Sequence, residues 1–175
     1  MLAVETDQLP GDAVAAHVAE RAGVAESSVF LPAFAAASLT GSVVAASRAS
    51  ELATMRLTEL GYDPQNVLSV TGSAPVPPVA DDEAVAMAWA NDAVAYGGQV
   101  HLVLDEPPTA PAALASTAAA EYGLPFVEIF ESVDWAYAEL DRALFAPAQV
   151  TVDVVGGESY VAGEPDDAAL AAAWH

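Results

Sequence analysis

Blocks of apolar residues alternate with helical patterns along the first sixty residues. The predicted elements are a strand at 2–5, a helix at 10–21, a strand at 29–34, a turn of small residues at 38–42 and a helix at 43–60. Pro10 stands where proline commonly opens a helix, and Gly23 and Gly61 follow the two helical patterns, as C-terminal glycines do. The first third of the chain therefore reads strand, helix, strand, helix.

The remaining pattern is weaker. The predicted elements are a strand at 67–70, a proline-rich loop at 71–79, helices at about 81–95, 112–122 and 135–144, an apolar segment at 126–130, strands at 99–104, 150–155 and 159–161, and a terminal helix from about 166. Gly156 and Gly157 join the last two strands and predict a C-terminal β-hairpin. We predict an α/β chain that leans toward α+β, with helices packed on a mixed sheet.

An acidic cluster, Asp81, Asp82 and Glu83, stands at the start of the predicted helix at 81–95. Carboxylates at a helix start accept hydrogen bonds from free backbone N–H groups and complement the helix dipole, so we interpret the cluster as a cap. A metal site built from the same three side chains is the alternative.

Charge is the clearest feature of the composition. The chain has 25 acidic residues against four basic ones, for a formal net charge of −21. Such a chain repels polyanions, which excludes nucleic acid and anionic membrane surfaces as expected partners and favours a cationic ligand. The main interpretation of the acidity is adaptation to a very salty cytoplasm, where these charges keep the surface hydrated.

Several other classes of function lack the residues they need. The chain has no cysteine, and its three histidines are far apart, so neither a thiolate nucleophile nor a metal site is expected. No glycine-rich phosphate-binding motif is present. The uncharged stretch at 27–47 contains proline, glycine and many alanines, unlike a membrane span, and no basic signal segment opens the chain. We expect a cytoplasmic protein.

The segment PAFAAASLTGSVVAASRASELA places Arg48 and Glu51 three residues apart on a predicted helix of small side chains. Residues at this spacing share one helix face. An ordinary intrahelical ion pair is one interpretation of the two residues. A pocket wall is the other, because the neighbouring positions are uncharged and small enough to let a flat ligand approach.

Several segments together resemble the methenyltetrahydromethanopterin cyclohydrolase family. They include PAFAAASLTGSVVAASRASE, ELGYDPQNVLSVTGSAPVPPVADDEAVAMAWANDAVAYGGQVHLVLDE, YGLPFVEIF and LFAPAQVTV, in the same order as in the family. The resemblance covers essentially the whole chain but only about the second half of a family member. Residues 1–175 are therefore predicted to be the C-terminal portion of a two-domain cyclohydrolase whose N-terminal portion is missing. Val44, Ala45 and Ala46 replace more polar residues of the family.

The resemblance implies hydrolysis of the methenyl bridge of a 5,10-methenyl-tetrahydropterin to the N5-formyl form, a reaction of one-carbon metabolism. The pterin is tetrahydromethanopterin or a folate analogue, and no cofactor or metal is implied. The family's Arg-x-x-Glu falls on Arg48 and Glu51, with Glu51 as the base for water and Arg48 as the group that orients it and favours its ionised form. The resemblance also implies a homotrimer, with the missing half completing the cleft.

Substrate-binding candidates flank this motif. They are Ser38, Thr40, Gly41, Ser42, Gly72, Ser73, Asn91, Asp92 and Tyr96. Hydroxyls and backbone N–H groups at a helix start can bind a pterin or phosphate, although a capped tight turn explains residues 38–42 as well. A noncatalytic fragment, or a pterin-binding module without turnover, is the alternative function.

Overall fold

The computed structural model describes all 175 residues, which form six α-helices and two sheets. The helices are α1 Asp12–Ala22, α2 Leu39–Ser47, α3 Ala49–Glu59, α4 Glu83–Gly97, α5 Phe126–Ser132 and α6 Asp167–Ala173. The strands are β1 Val4–Glu5, β2 Ala33–Phe34, β3 Val67–Ser73, β4 Gln99–Leu104, β5 Gln149–Val154 and β6 Ser159–Gly163. No helix combines the length and apolar character that a membrane crossing requires.

The larger sheet has four strands in the order β3-β4-β5-β6. Its two central strands, β4 and β5, run parallel, while each outer strand is antiparallel to its neighbour. The predicted α/β class with a mixed sheet and a C-terminal hairpin is thus confirmed. The other sheet is only a parallel pair, β1 and β2.

Two apolar clusters stabilise the fold, and one of them packs helices on the larger sheet. In the first cluster, Leu52 and Leu57 of α3 pack on Leu102 and Val152 of the central strands. The second cluster joins α4, α5 and α6 and includes Tyr96, Phe126 and Phe130. Complete burial of one such large side chain stabilises a fold by about 1.5–3 kcal/mol, so these contacts fix where α3 and α4 stand.

The predicted single helix at 43–60 is wrong in one important respect, because the chain forms two helices that meet at Arg48. The Arg48 N–H bonds to the Ala45 carbonyl, three residues back, and the Arg48 carbonyl accepts the first bond of α3, from the N–H of Leu52. The Ser47 hydroxyl donates to the Val44 carbonyl at 2.7 Å and competes with the regular helical bonding there. Arg48 therefore ends one helix and begins the next.

Other predicted boundaries also need correction. Strand β3 extends to Ser73, into the predicted loop, and only Ala33 and Phe34 of the predicted strand at 29–34 are paired. The predicted helices at 112–122 and 135–144 are replaced by short 3-10 turns, at Pro111–Leu114, Ser116–Ala118, Tyr137–Glu139 and Arg142–Phe145. Ser116 shows one reason: its buried hydroxyl donates to the Ala95 carbonyl at 2.5 Å, so a tertiary contact overrides the helix propensity of the alanines.

Candidate functional site

Arg48 and Glu51 form a two-point ion pair at the start of α3. The Arg48 Nη2 lies 3.1 Å from Glu51 Oε1, and Nε lies 3.3 Å from Oε2. Glu51 lies in the first turn of α3, where the positive end of the helix dipole favours a negative charge. The guanidinium fork thus fixes the plane of a carboxylate that a helix start already favours.

This pair lines a concave pocket of about 510 Å³. The wall comes from four parts of the chain: the β1–β2 pair, α2, the start of α3 and α4. The lining side chains are mostly small or apolar, and they are Leu2, Ala3, Glu5, Phe34, Ala36, Gly41, Ser42, Val44, Ala45, Ser47, Arg48, Glu51, Leu52, Ala86, Met87, Ala90, Asn91 and Val94. A cavity of this size and character suits a flat, largely apolar ligand with a few polar contacts.

Exposure distinguishes the two interpretations of the ion pair. The side chains of Arg48 and Glu51 are 47% and 61% exposed, so their attraction is well screened. A pair this exposed stabilises a fold by only a few tenths of a kcal/mol. The pair therefore contributes little to the stability of the fold. Its position on the pocket wall makes both side chains accessible to a ligand.

The small residues at 38–42, predicted to be a turn before the helix, instead form the N-cap and first turn of α2, and they lie partly on the pocket wall. Gly41 and Ser42 line the pocket, but Ser38 and Thr40 do not. Ser38 caps α2, since its hydroxyl accepts from the Gly41 N–H at 3.0 Å and donates to the Ala35 carbonyl at 2.6 Å. The capped-turn interpretation therefore applies to Ser38, while Thr40 is exposed to solvent.

Gly72 and Ser73 lie on β3, away from this pocket. They pair with Val100 and Gln99 of β4 in the sheet. A Cβ on Gly72 would come within 2.7 Å of the Ser50 hydroxyl, so the missing side chain lets α3 approach β3 closely. Gly72 therefore lies beneath the helix that carries Glu51, and its predicted ligand contact stays a prediction.

The three candidates on α4 point in different directions. Asn91 lines the pocket, and its side-chain amide donates to the Met87 carbonyl at 2.8 Å. Asp92 is fully buried on another face, where it accepts from the Phe126 N–H at 2.9 Å. Tyr96 is also buried, and its hydroxyl donates to the Leu124 carbonyl at 2.6 Å. Burial in the core keeps Asp92 and Tyr96 from the substrate contacts predicted for them.

The acidic cluster acts as the predicted cap. Asp82 Oδ1 accepts from the N–H groups of Ala84 and Val85 at 2.9 and 3.1 Å, and Glu83 Oε2 accepts from the Ala36 N–H at 2.9 Å. The Glu83 contact ties the start of α4 to the segment between β2 and α2. No group of three or more His, Cys, Asp or Glu side chains has an arrangement that could hold a metal ion.

A second polar cluster lies on the open face of the larger sheet. Asp153 contacts both the Ser159 hydroxyl, at 2.5 Å, and the His101 Nε2, at 2.7 Å. Hydrogen bonds from Ser159 and then His101 hold the pKa of Asp153 below its usual value. Asp153 stands between the other two residues, so the Ser159 hydroxyl donates to a carboxylate and not to the histidine, and none of the three lines the Arg48 pocket.

A family model described as "Cyclohydrolase (MCH)" matches residues 1–174. The chain belongs to this family.

Curated relatives of this cyclohydrolase chain share its sequence along nearly its whole length. It is 51% identical over 171 residues to the methenyltetrahydromethanopterin cyclohydrolase of Halobacterium salinarum, with 98% of this chain and 55% of that protein covered. It is 39% identical to the protein of the same name from Methanocella arvoryzae, covering 94% and 52%, and 38% identical to that from Xanthobacter autotrophicus, covering 98% and 52%. The predicted family is confirmed. The chain spans about half the length of the curated relatives it matches.

Sequence reasoning missed several pocket residues of this cyclohydrolase chain. Glu5, Phe34 and Met87 line the pocket, although no local motif singles them out. Glu5 and Phe34 are partners in the β1–β2 register, which puts them side by side on two strands that are separated in sequence by the whole of α1. A period-two pattern in so short a strand carries little information, so only the pairing reveals these residues.

Proposed function

We propose that this chain provides the catalytic Arg–Glu pair for hydrolysis of the methenyl bridge of a 5,10-methenyl-tetrahydropterin. The observation that carries the proposal is the two-point Arg48–Glu51 pair on the wall of a pocket large enough for a pterin. The names of its relatives agree with that activity. The reaction belongs to the class of hydrolases that open cyclic amidines.

The chemistry follows from an ionised carboxylate beside an electrophilic carbon. Water adds to the methenyl carbon, and Glu51 takes its proton, which gives a neutral carbinolamine. Glu51 then returns this proton to N10, the C–N10 bond breaks, and the hydroxyl proton leaves to solvent. The methenyl cation and water thus give the N5-formyl product and one proton. Arg48 keeps the carboxylate in one orientation throughout.

The proposed reaction needs neither a metal nor a redox cofactor. The substrate carbon already carries cationic character, so no Lewis acid has to activate it, and no electrons are transferred. We also expect the protein to be cytoplasmic, and this location stays a prediction.

We further propose that the matched segment is the C-terminal portion of a full-length relative and that the other portion completes the pocket. Two observations support this proposal. A two-stranded sheet is marginal by itself, yet the β1–β2 pair forms one side of the pocket. The β1–β2 region and α2 also expose large apolar side chains, with Leu2 51%, Phe30 63%, Leu39 68% and Val43 50% accessible. We also expect a homotrimer, which light scattering on the complete assembly can test.

The test of the activity is a spectroscopic hydrolysis assay at high salt, with and without the complementary portion of the Halobacterium relative. Glu51→Gln keeps the size of the side chain but removes the base, so we expect the rate to fall by at least about a hundredfold. Rates for the tetrahydromethanopterin and tetrahydrofolate substrates, measured side by side, identify the pterin.

Glu20→Gln is the matched control, because Glu20 is exposed on α1 and does not line the pocket. It should leave the rate unchanged. Equal rates for the wild-type chain and Glu51→Gln would reject Glu51 as the base. If the chain binds the substrate without turnover, both with and without the complementary portion, the noncatalytic pterin-binding module would be favoured.

A further inference from the structure

Only three ionisable side chains line the pocket, and two of them neutralise each other. These are Glu5, Arg48 and Glu51. Because Arg48 and Glu51 form a two-point pair, their opposite charges largely cancel for a ligand in the pocket. Glu5 is therefore the uncompensated charge of the wall.

Glu5 reaches the pocket from a different element than the ion pair. It is the last residue of β1 and pairs with Phe34 of β2, which also lines the pocket. No Lys, Arg or His nitrogen lies within 4.0 Å of its carboxylate, since the four ion pairs of the chain involve other residues. Its charge is available to a ligand rather than used within the fold.

Glu5 also lies near a tyrosine that contacts a residue of the pocket wall. The Tyr137 hydroxyl donates to the sulfur of Met87, at 3.0 Å, and Met87 lines the pocket. Burial, followed by the charge of Glu5, raises the pKa of Tyr137. Glu5 thus influences groups on the α4 side of the pocket as well as on its own strand.

We propose that Glu5 is a specificity-determining residue that makes the pocket prefer the methenyl cation over the neutral formyl product. This inference rests on the proposed function and adds a residue to it. The carboxylate attracts the cation by long-range Coulomb interaction and gains nothing from the neutral product, so substrate is held while product leaves. The pocket is open to solvent, which limits the effect to a moderate factor.

The experiment compares binding of the two pterins to the full chain. Dissociation constants for the methenyl cation and the formyl product are measured by quenching of protein fluorescence on rapid mixing, before turnover, at a salt concentration where circular dichroism shows the chain to be folded. Glu5→Gln should weaken binding of the cation by about three- to tenfold. The dissociation constant of the neutral product should change by less than about twofold, because it carries no charge at the bridge.

Glu20→Gln removes the same charge outside the pocket and controls for the overall charge of the protein. It should leave both dissociation constants unchanged. The inference is overturned if Glu5→Gln weakens both ligands equally or neither, or if Glu20→Gln has the same effect as Glu5→Gln. If the chain prefers the methenyl cation over the formyl product, and loses this preference in Glu5→Gln, but hydrolyses nothing, the proposed activity would be rejected and the role of Glu5 supported. Failure to bind either pterin, both with and without the complementary portion of the Halobacterium relative, would reject both proposals.

Discussion

Asp92 is the only acidic side chain buried completely, with 0% of its surface exposed. One carboxylate oxygen accepts from the Phe126 N–H, but the other, Oδ2, has no hydrogen-bond partner. Burial raises the pKa of Asp92 from 3.8 to about 7, against the lowering effect of the Phe126 bond. The protonated form is therefore favoured in the folded chain, since an ionised carboxylate with a free oxygen is costly in an apolar core.

Asp92 should make the stability of the chain depend on pH. Since its pKa is higher in the folded state than in the unfolded state, its stabilising contribution is complete below about pH 4 and is lost as the pH rises through about 7. Asp92→Asn keeps an acceptor for Phe126 without a charge. We compare the free energies of unfolding of the variant and the wild type at two pH values. The variant should gain about 2–4 kcal/mol more over the wild type at about pH 8 than at about pH 4.

Guanidinium denaturation at the two pH values measures this difference. Asp7→Asn, at an exposed position near the start of the chain, is the matched control and should show no such dependence. An Asp92→Asn effect that is the same at both pH values would show that the buried carboxylate does not titrate in this range.

At the scale of elements, the first turn of α2 forms part of one side of the pocket. Gly41 packs so closely that an added Cβ would collide with the backbone carbonyls of Ala35 and Ala36. Backbone atoms cannot move aside as a flexible side chain can. The small residue at this position is therefore required by the tight path of the chain next to the pocket.

Gly41→Ala should destabilise the chain by about 2–4 kcal/mol, because the first turn of α2 must move away from the backbone of Ala35 and Ala36 to accept a methyl group. Gly11→Ala is the matched control: a Cβ added there would have no other atom within 4 Å, and we expect a change below about 1 kcal/mol. Thermal unfolding followed by circular dichroism measures both. Equal losses of stability in the two variants would show that the backbone around Gly41 adjusts to a methyl group at little cost.

The sequence predicted the elements better than it predicted their ends. The strong patterns at β4, β5 and β6 indicated the mixed sheet and hairpin, because alternation on a half-buried sheet is directly visible in sequence. The break at Arg48 was missed, since a helix-to-helix junction made of good helix formers has no glycine or proline to mark it. Local hydrogen bonding at Ser47 decides it instead.

The candidate site was predictable in part for a similar reason. Arg48 and Glu51 are three residues apart, so local geometry alone brings them together on one helix turn. Asp92 and Tyr96 share a helix with Asn91, but helix periodicity does not say which face meets the pocket and which meets α5. The position of Glu5 at the pocket depends on the pairing of two strands that are distant in sequence, and no local pattern predicts that pairing.

The two sheets of the molecule differ in how far they are covered by other elements. The larger sheet packs on α3 and α4 through one apolar cluster, whereas the β1–β2 pair has only two strands. Parallel strand pairs are normally covered on both faces, so this pair is unusually open. The chain also matches only about half of its relatives' length. Together these facts favour a binding surface on the pocket side.

If the complementary portion of a relative packs on α2, the exposed side chains of Leu39 and Val43 become buried on association. The double variant Leu39→Ser, Val43→Ser should therefore weaken binding of that portion by about tenfold or more, since each buried aliphatic side chain contributes about 1.5–3 kcal/mol. Calorimetric titration of the chain with the unmatched portion of the Halobacterium relative measures the affinity.

Val155→Ser, Val161→Ser is the matched control, because both residues are similarly exposed, at 59% and 65%, but lie on the terminal hairpin away from the pocket. These substitutions should leave the affinity unchanged if the α2 side is the contact surface. Equal weakening by the two double variants would place the interface elsewhere or make it diffuse. Absence of binding between the wild-type chain and that portion would overturn the proposed completion of the pocket by the other portion.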